Sequence, residues 1–539
     1  MYNLRNVMMG LLVALIPAAT LCGENPKNKQ AVLNTMKSAT HFMMDKVSNK
    51  GGFVWNYLPD LSRQWGEMEA YRSMVWIQSP STPLVGQVLL DAYHATGDEY
   101  YYEQAKQVAT VLIWGQEPCG GWSYMFDLAG EGSLRKWYST IGKCGWRLEE
   151  FQHYYGNATY DDSCTSDVAK FLLRIYVEKN DPTFRPALDK VINFILESQY
   201  AIGGWPQRYP LRYDHVFHGK ADYSSFITLN DDVIPDNIDF LVQCYQALGL
   251  KNVKVPIMRA LNLTIAMQQG EPYAGWADQY TVEDLQPAHA RSYEPRSVNT
   301  GTTVEMIYKM CDYYQLTGET KFLAGIPAAI KFLESQKLPD SEVARFGGRP
   351  MRDGEILVPR FIDPDTGKPL YVHRKGSNVK NGYYYTDQDI SNTIRHYSSA
   401  AQVNIDAIRQ HYEEVKAMSR EEATKDSPLL RTEPTPLPTY YVKPRPSHKG
   451  GEVPQVADIL KSIDKEGRWI TPLTSYSNPY KELPEGDVQP SDDTKYAQTM
   501  VGDDYDTSPY PPTEQVMGIS TQVYVSNMAK LIQSITNEE

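Results

Sequence analysis

The chain has 539 residues, 42% hydrophobic and 22% charged, enough to bury a large core. Sixty-six acidic against 53 basic residues give a formal charge of -13. That balance excludes nucleic acid as a main partner, because phosphate recognition needs a basic surface.

The chain begins with an export pattern over residues 1–22: Arg5, an apolar run from Val7 to Leu21, and small residues Ala18, Ala19 and Thr20. The run is short for a membrane span. Cys22 would permit a lipid anchor, but Leu21 stands where a small residue is usual, so plain secretion or a periplasmic location is the expectation. No later segment is long and apolar enough to span a bilayer. Of the five remaining cysteines, Cys119 and Cys144 lie in loop-like sequence and could pair in an oxidising compartment, the pairing itself being left open by the sequence. No Cys/His spacing fits zinc.

Helical periodicity covers Lys29 to Ser48 and breaks at Gly51-Gly52. Helices follow at Leu84 to Thr96 and Tyr101 to Gly115, leading into Gly120-Gly121-Trp122. The pattern recurs. Phe171–Glu178 and Phe184–Gln199 lead into Gly203-Gly204-Trp205, and Asn237–Leu248 and Val255–Gln268 lead into Ala274-Gly275-Trp276. Val304–Leu316 and Phe322–Gln336 lead into Phe346-Gly347-Gly348. The period is about 70 to 80 residues. A helical hairpin cannot bury both faces alone, so repeated hairpins stack. The fold class expected is mainly α, an α/α-toroid over 29–425 with long glycine-aromatic loops on one rim. Residues 355–361 and 370–374 read as a β-hairpin, 390–418 as helix, and 521–535 as a terminal helix. Residues 426–539 are expected to wrap the toroid, and a monomer is expected.

Four loops carry chemistry. The first runs from Trp205 through Arg208 and Tyr209 to Asn230-Asp231-Asp232. The second holds Trp276, Asp278, Arg291, Tyr293 and Glu294; the third Arg349, Arg352 and Asp353; the fourth His373, Arg374 and Tyr383. Carboxylates hold hard cations. Arginines clamp carboxylates in pairs of hydrogen bonds. Aromatic rings offer stacking faces. Together they suit an acidic sugar such as a uronate.

The stretch Gly203 to Asp232 resembles the signature of the pectate lyases of polysaccharide lyase family ten. There Gly-Gly-Trp-Pro-Gln-x-Tyr-Pro precedes an Asn-Asp-Asp helix start. Trp276, Leu285, Pro287, Arg291, Glu294 and Pro295 also fall in register, and Arg349-Pro350, Arg352-Asp353-Gly354 and Gly382-Tyr383 are similar to later motifs. The resemblance spans roughly Phe171 to Asp387. It implies calcium-assisted β-elimination on polygalacturonate with an arginine as base. On it, Arg352 is the expected base with Arg349 next, and Asp231 polarises substrate. Asp231, Asp232 and Asp278 bind calcium. Arg291, Arg374, Trp205, Arg208, Tyr209, Trp276, Tyr293 and Tyr383 contact substrate. Two positions depart from the family pattern: Thr281 stands where an Asp is usual and Lys380 where an Arg is usual. Two alternatives are a glycoside hydrolase using Asp278 and Glu294, and a non-catalytic pectin-binding relative.

Overall fold

A computed structural model describes residues 26–214, 220–346, 349–376, 382–397, 399–446, 451–483 and 494–536. The export pattern, Cys22, His215, His218 and Lys380 lie outside the described residues. Among those residues the fold is mainly helical, with small sheets of which the largest has five short strands.

The helices in chain order begin with α1 (Pro26–Phe42), α2 (Thr82–Thr96), α3 (Glu99–Trp114), α4 (Glu131–Ser139) and α5 (Glu149–Gln152). Then come α6 (Cys164–Lys179), α7 (Arg185–Ser198), α8 (Val233–Leu248), α9 (Lys254–Ala266), α10 (Thr300–Thr317) and α11 (Ile326–Ser335). The last are α12 (Asp340–Phe346), α13 (Ile405–Ala417), α14 (Arg420–Ala423), α15 (Val456–Ser462) and α16 (Thr521–Thr536). Four hairpins repeat: α2 with α3, α6 with α7, α8 with α9, α10 with α11. Three of their first helices stop at a left-handed glycine, Gly97, Gly249 or Gly318, whose N–H caps a tyrosine carbonyl one turn back. Neighbouring hairpins stack, and α16 sits against both α1 and α2. One continuous apolar core fills the space between the helices.

Each glycine-aromatic loop plugs into the stack in the same way. The Trp122, Trp205 and Trp276 indoles donate to Leu112, Ile195 and Thr264 carbonyls at 2.7, 2.8 and 2.8 Å, near the ends of α3, α7 and α9. Gly203 has a φ of +120, and a Cβ there would lie 2.6 Å from the Arg259 carbonyl oxygen. Only glycine allows that approach. The residues ahead of each first helix then bond back to the loop: Trp76 N to Phe53 O, Thr159 N to Trp122 O, Thr228 N to Trp205 O and Asn299 N to Trp276 O. Short antiparallel pairings complete the unit, with Thr159 opposite Arg208, Thr228 opposite Gln279 and Asn299 opposite Phe361.

Two expected elements differ. Glu355–Pro359 pairs with Ala400–Asn404, while Phe361–Ile362 turns back onto Pro369–Lys375. Residues 400–404 are therefore strand, and the helix there starts only at Ile405. The apolar residues of that segment serve two partners: Ile394 joins Tyr293 and Phe361, and Ile408 joins the main core. No disulfide joins Cys119 to Cys144.

Candidate functional site

The repeat sets the site. Two residues beyond Trp76, Thr159 and Thr228 stand Gln78, Asp161 and Asn230, each just before a first helix of a hairpin. Asp162 and Ser163 ahead of α6, and Asp231 and Asp232 ahead of α8, all take the left-handed conformation, with φ of 47, 59, 52 and 55. This uncommon backbone, tolerated best by Asp and Asn, turns successive carboxylates from neighbouring repeats toward one another.

They converge on Arg291. Its Nε donates to Glu150 at 2.9 Å and its NH2 to Asp161 at 2.7 Å, while NH1 lies 3.4 Å from Glu294. The Tyr124 hydroxyl also donates to Asp161. The Gln78 amide bridges Glu67 at 2.7 Å and Asp162 at 2.6 Å. Tyr397 donates to Glu294, and Arg360 lies over the Tyr397 ring at 4.2 Å.

The electrostatics are lopsided. Burial, then Glu150 and Asp161, act on Arg291; the acids prevail and hold its guanidinium charged. Burial alone would raise Asp161, but Arg291 and hydrogen bonds from Asp231 and Tyr124 keep it below its ordinary value. Burial and the facing Asp161 and Asp162 push Asp231 well above the carboxylate range. Asp162 rises for the same reasons, with Asp161 and Glu67 as neighbours. Glu67 is pushed up to about 7 by burial and by Glu150. Burial also lifts Glu149 to about 7, against hydrogen bonds from Ser292. Facing Asp161 and Asp162 thus disfavour the charge of Asp231. Among the described residues, no three His, Cys, Asp or Glu side chains form a ready-made metal cage.

A second arginine stands apart. Arg374 is 1% exposed, and its guanidinium lies over the Trp146 ring at 3.8 Å. Burial pushes it below the ordinary arginine value; the Tyr384 hydroxyl opposes this and Arg147 adds to it.

The expected site residues divide. Asp231, Arg291, Tyr293 and Glu294 come together at the cluster, and Arg208 joins its edge, over Tyr155 at 4.0 Å. Asp232 turns away toward Asp236, Lys309 and Lys170. Asp278 has both carboxylate oxygens engaged, by Asn299 and Thr302. Glu294 is likewise committed to Arg291 and Tyr397. Trp205 and Trp276 are fully buried repeat anchors, so neither ring is a sugar platform. Tyr209 and Tyr383 are half-buried, Tyr209 edge-on to Phe194. Arg352 is exposed, and Arg349 is exposed and clamped by Glu355 at 2.7 and 2.8 Å. The fold therefore does not bring Arg349 into the cluster. Thr281 bonds Asp284 in an exposed turn. Asp161, Asp162, Glu67, Glu150 and Arg360 were missed by sequence reasoning. The repeat register, Tyr160-Asp161-Asp162 against Leu229-Asn230-Asp231, is the signal that finds the first two.

Comparison with known proteins follows this geometry. Among solved structures the chain is similar to a family 10 polysaccharide lyase from Cellvibrio cellulosa, at 18% identity and a TM-score of 0.41, covering 62% of this chain and 98% of that one. A mutant of that lyase in complex with trigalacturonic acid matches at 19% identity, a TM-score of 0.41 and the same coverage, 62% and 98%. A GH76 α-mannanase from Bacteroides thetaiotaomicron matches at 10% identity and a TM-score of 0.37, over 94% of this chain and 97% of that one. No curated protein matches. The family model described as pectic acid lyase matches residues 145–395. That segment holds Asp161, Asp231, Arg291 and Arg374, and with it the chain carries a polysaccharide lyase domain of the pectic acid lyase type.

Proposed function

We propose that the protein is an exported pectate lyase that cleaves polygalacturonate by calcium-assisted β-elimination on an α/α-toroid closed by its stacked hairpins. The observation that carries this reading is the pectic acid lyase match over the segment that supplies Asp161, Asp231 and Arg291.

The donor chemistry of the cluster fits calcium. Asp161, Asp162 and Asp231 are hard oxygen donors. Burial and the neighbouring carboxylates hold Asp162 and Asp231 above the carboxylate range, which marks negative charge in excess of what Arg291 neutralises. When bound, calcium would draw charge from a substrate carboxylate and acidify the adjacent C5 proton. Asp161 and Asp231 would hold the ion, with Asp162 beside them. Arg291 fixes Asp161, Glu150 and Glu294 and stays charged.

The base must be an arginine whose charge is disfavoured, since an ordinary guanidinium is protonated at every accessible pH. Burial lowers Arg374, while Tyr384, Asp506 and the carbonyls that accept from its NH2 oppose that. Arg352 is exposed, and we assign the base role to Arg374 ahead of Arg352. In the elimination, the C5 proton passes to the guanidine nitrogen and a C4=C5 double bond forms. The C4–O4 bond breaks, and O4 leaves with a proton from water. Polygalacturonate with calcium should give an unsaturated product absorbing in the ultraviolet. Saturated reducing ends without that absorbance would show hydrolysis and overturn the proposal.

A further inference from the structure

A pocket of about 500 Å³, in the range of small-ligand sites, opens at the C-terminal end of α3. The strand Met125–Asp127 and the start of α4 form its other sides, and Trp114, Glu117, Asp127, Glu131, Arg135 and Tyr154 are among its walls. All but Tyr154 precede residue 145, where the lyase match begins. Trp114 is 57% exposed, whereas Trp122, Trp205 and Trp276 are fully buried. Its ring leans on Phe126, with centroids 5.7 Å apart. A Cβ on Gly115 would lie 2.3 Å from Phe126 Cε1, so a glycine there leaves room for the ring that backs the indole.

Two carboxylates on this pocket lack donors among the described residues. Asp127 is 3% exposed; its Oδ1 accepts from Ala129 N at 2.8 Å, but its buried Oδ2 has no partner. Burial and then Glu131 raise the half-buried Glu117 carboxyl, and no hydrogen bond offsets them. The arginines nearby are already engaged. Arg135 donates to Glu131 at 2.6 and 2.9 Å and lies over the Tyr154 ring at 4.1 Å, and Arg212 donates to Tyr155 O. An acceptor buried without a donor is costly, and a ligand rich in hydroxyl groups supplies donors. A ligand carboxylate would instead meet Glu117 and Asp127, and like charges repel. The negative face of an indole suits the C–H face of a sugar ring.

We propose that this pocket is a second, non-catalytic glycan site that takes a neutral hexopyranose. The Trp114 indole is the platform for the sugar ring, and Glu117 and Asp127 accept from its hydroxyls. Tyr154 links the pocket to the rim, because the next residue, Tyr155, packs under Arg208 at 4.0 Å on the edge of the acidic cluster. A neutral glycan held here stays beside the cluster without entering its chemistry, whether or not the lyase reading holds.

The test is calorimetric titration of β-1,4-linked galactose and glucose tetrasaccharides, with trigalacturonate as the acidic comparison. Each is titrated into the full chain and into its Trp114→Ala, Trp114→Phe and Glu117→Ala variants. Both side chains reach solvent, so thermal unfolding should be unchanged. At least one neutral tetrasaccharide should bind the parent. Trp114→Ala and Glu117→Ala should each weaken it about tenfold, as loss of an aromatic contact or of a hydrogen bond to a charged group does. Trp114→Phe keeps a ring and should keep most of the affinity. Binding and turnover of the acidic ligand should be the same in every variant. The site is overturned if neither neutral tetrasaccharide binds the parent, if Trp114→Ala binds them as the parent does, or if that variant weakens trigalacturonate alone. A parent that binds a neutral tetrasaccharide yet makes no unsaturated product refutes the lyase reading and leaves this site standing.

Discussion

Replacing Arg291 with Gln tests the cluster most directly. The guanidinium is 5% exposed and pairs with Glu150, Asp161 and Glu294 at 2.9, 2.7 and 3.4 Å. Removing one partner of a buried ion pair costs about 3–5 kcal/mol, because the other charge is left uncompensated. Three carboxylates share this guanidinium, but they escape part of the cost by taking protons. A loss of about 4 kcal/mol at pH 7 is therefore expected, from that same range. The sign with pH follows. In the parent, Asp161 titrates below its unfolded value, so its contribution is present above that value and lost as pH falls through the folded one. In the variant the unpaired acids titrate above their unfolded values, so the variant gains on the parent as pH falls. The difference should shrink between pH 7 and pH 5. Urea unfolding at both values measures it. A loss below about 1 kcal/mol at pH 7, typical of a surface pair, or a loss independent of pH, would refute the buried-triad account.

Calcium binding should release protons, because Asp231, Asp162 and Glu67 are all held above their ordinary values by burial and by one another. Affinity should therefore rise from pH 6 to pH 8, and heats at pH 6.5 should differ between buffers of different ionisation enthalpy. Asp231→Asn should remove about one released proton, and buffer-independent heats would count against the site. Arg374→Lys should lower the elimination rate by about a hundredfold or more, as expected for a general base, whereas Arg352→Ala should leave it within about twofold because that side chain stands in solvent; the reverse ranking would return the base role to Arg352. Gly203→Ala should cost about 1–3 kcal/mol, from the strain of a left-handed residue and the 2.6 Å approach to Arg259 O, read as a lower thermal midpoint.

The hairpin array was legible because each unit writes its own punctuation. Apolar helical faces, a left-handed glycine stop and a Gly-Gly-aromatic loop recur at a fixed spacing, and each has a local cause. The site was legible only in part. Asp231, Arg291, Tyr293 and Glu294 lie within a local motif, and the fold brings them together. Glu67, Gln78 and Glu150 join through the packing of hairpins, and no local pattern announces them. Trp205 was misread because a tryptophan beside a polar loop looks like a sugar platform, whereas its indole is buried at 0% exposure and closes off Ile195 O. The exposure of Arg352 could not be read from its Arg-Asp-Gly triplet. Arg374, seven residues beyond a turn and within a strand, is buried by Trp146 and by a segment more than a hundred residues later.

The repeat also explains why the acidic cluster sits where it does. A helix start carries unpaired N–H groups and favours nearby negative charge. In most hairpins one cap residue would suffice, as Asn299 does for α10 by accepting from Gly301 N at 2.8 Å. At α6 and α8 the N-cap residues Ser163 and Asp232 make no such side-chain cap. The left-handed Asp162 and Asp231 just ahead of them face Gln78 and Asp161 of neighbouring repeats. Two helix starts thus forgo local capping and place their carboxylates against each other, which favours protonation and lowers stability. Such a sacrifice of local for non-local interactions is the mark of a functional site rather than of a structural one. The facing carboxylates belong to the two repeats ahead of α6 and α8, and those repeats fall inside the lyase match.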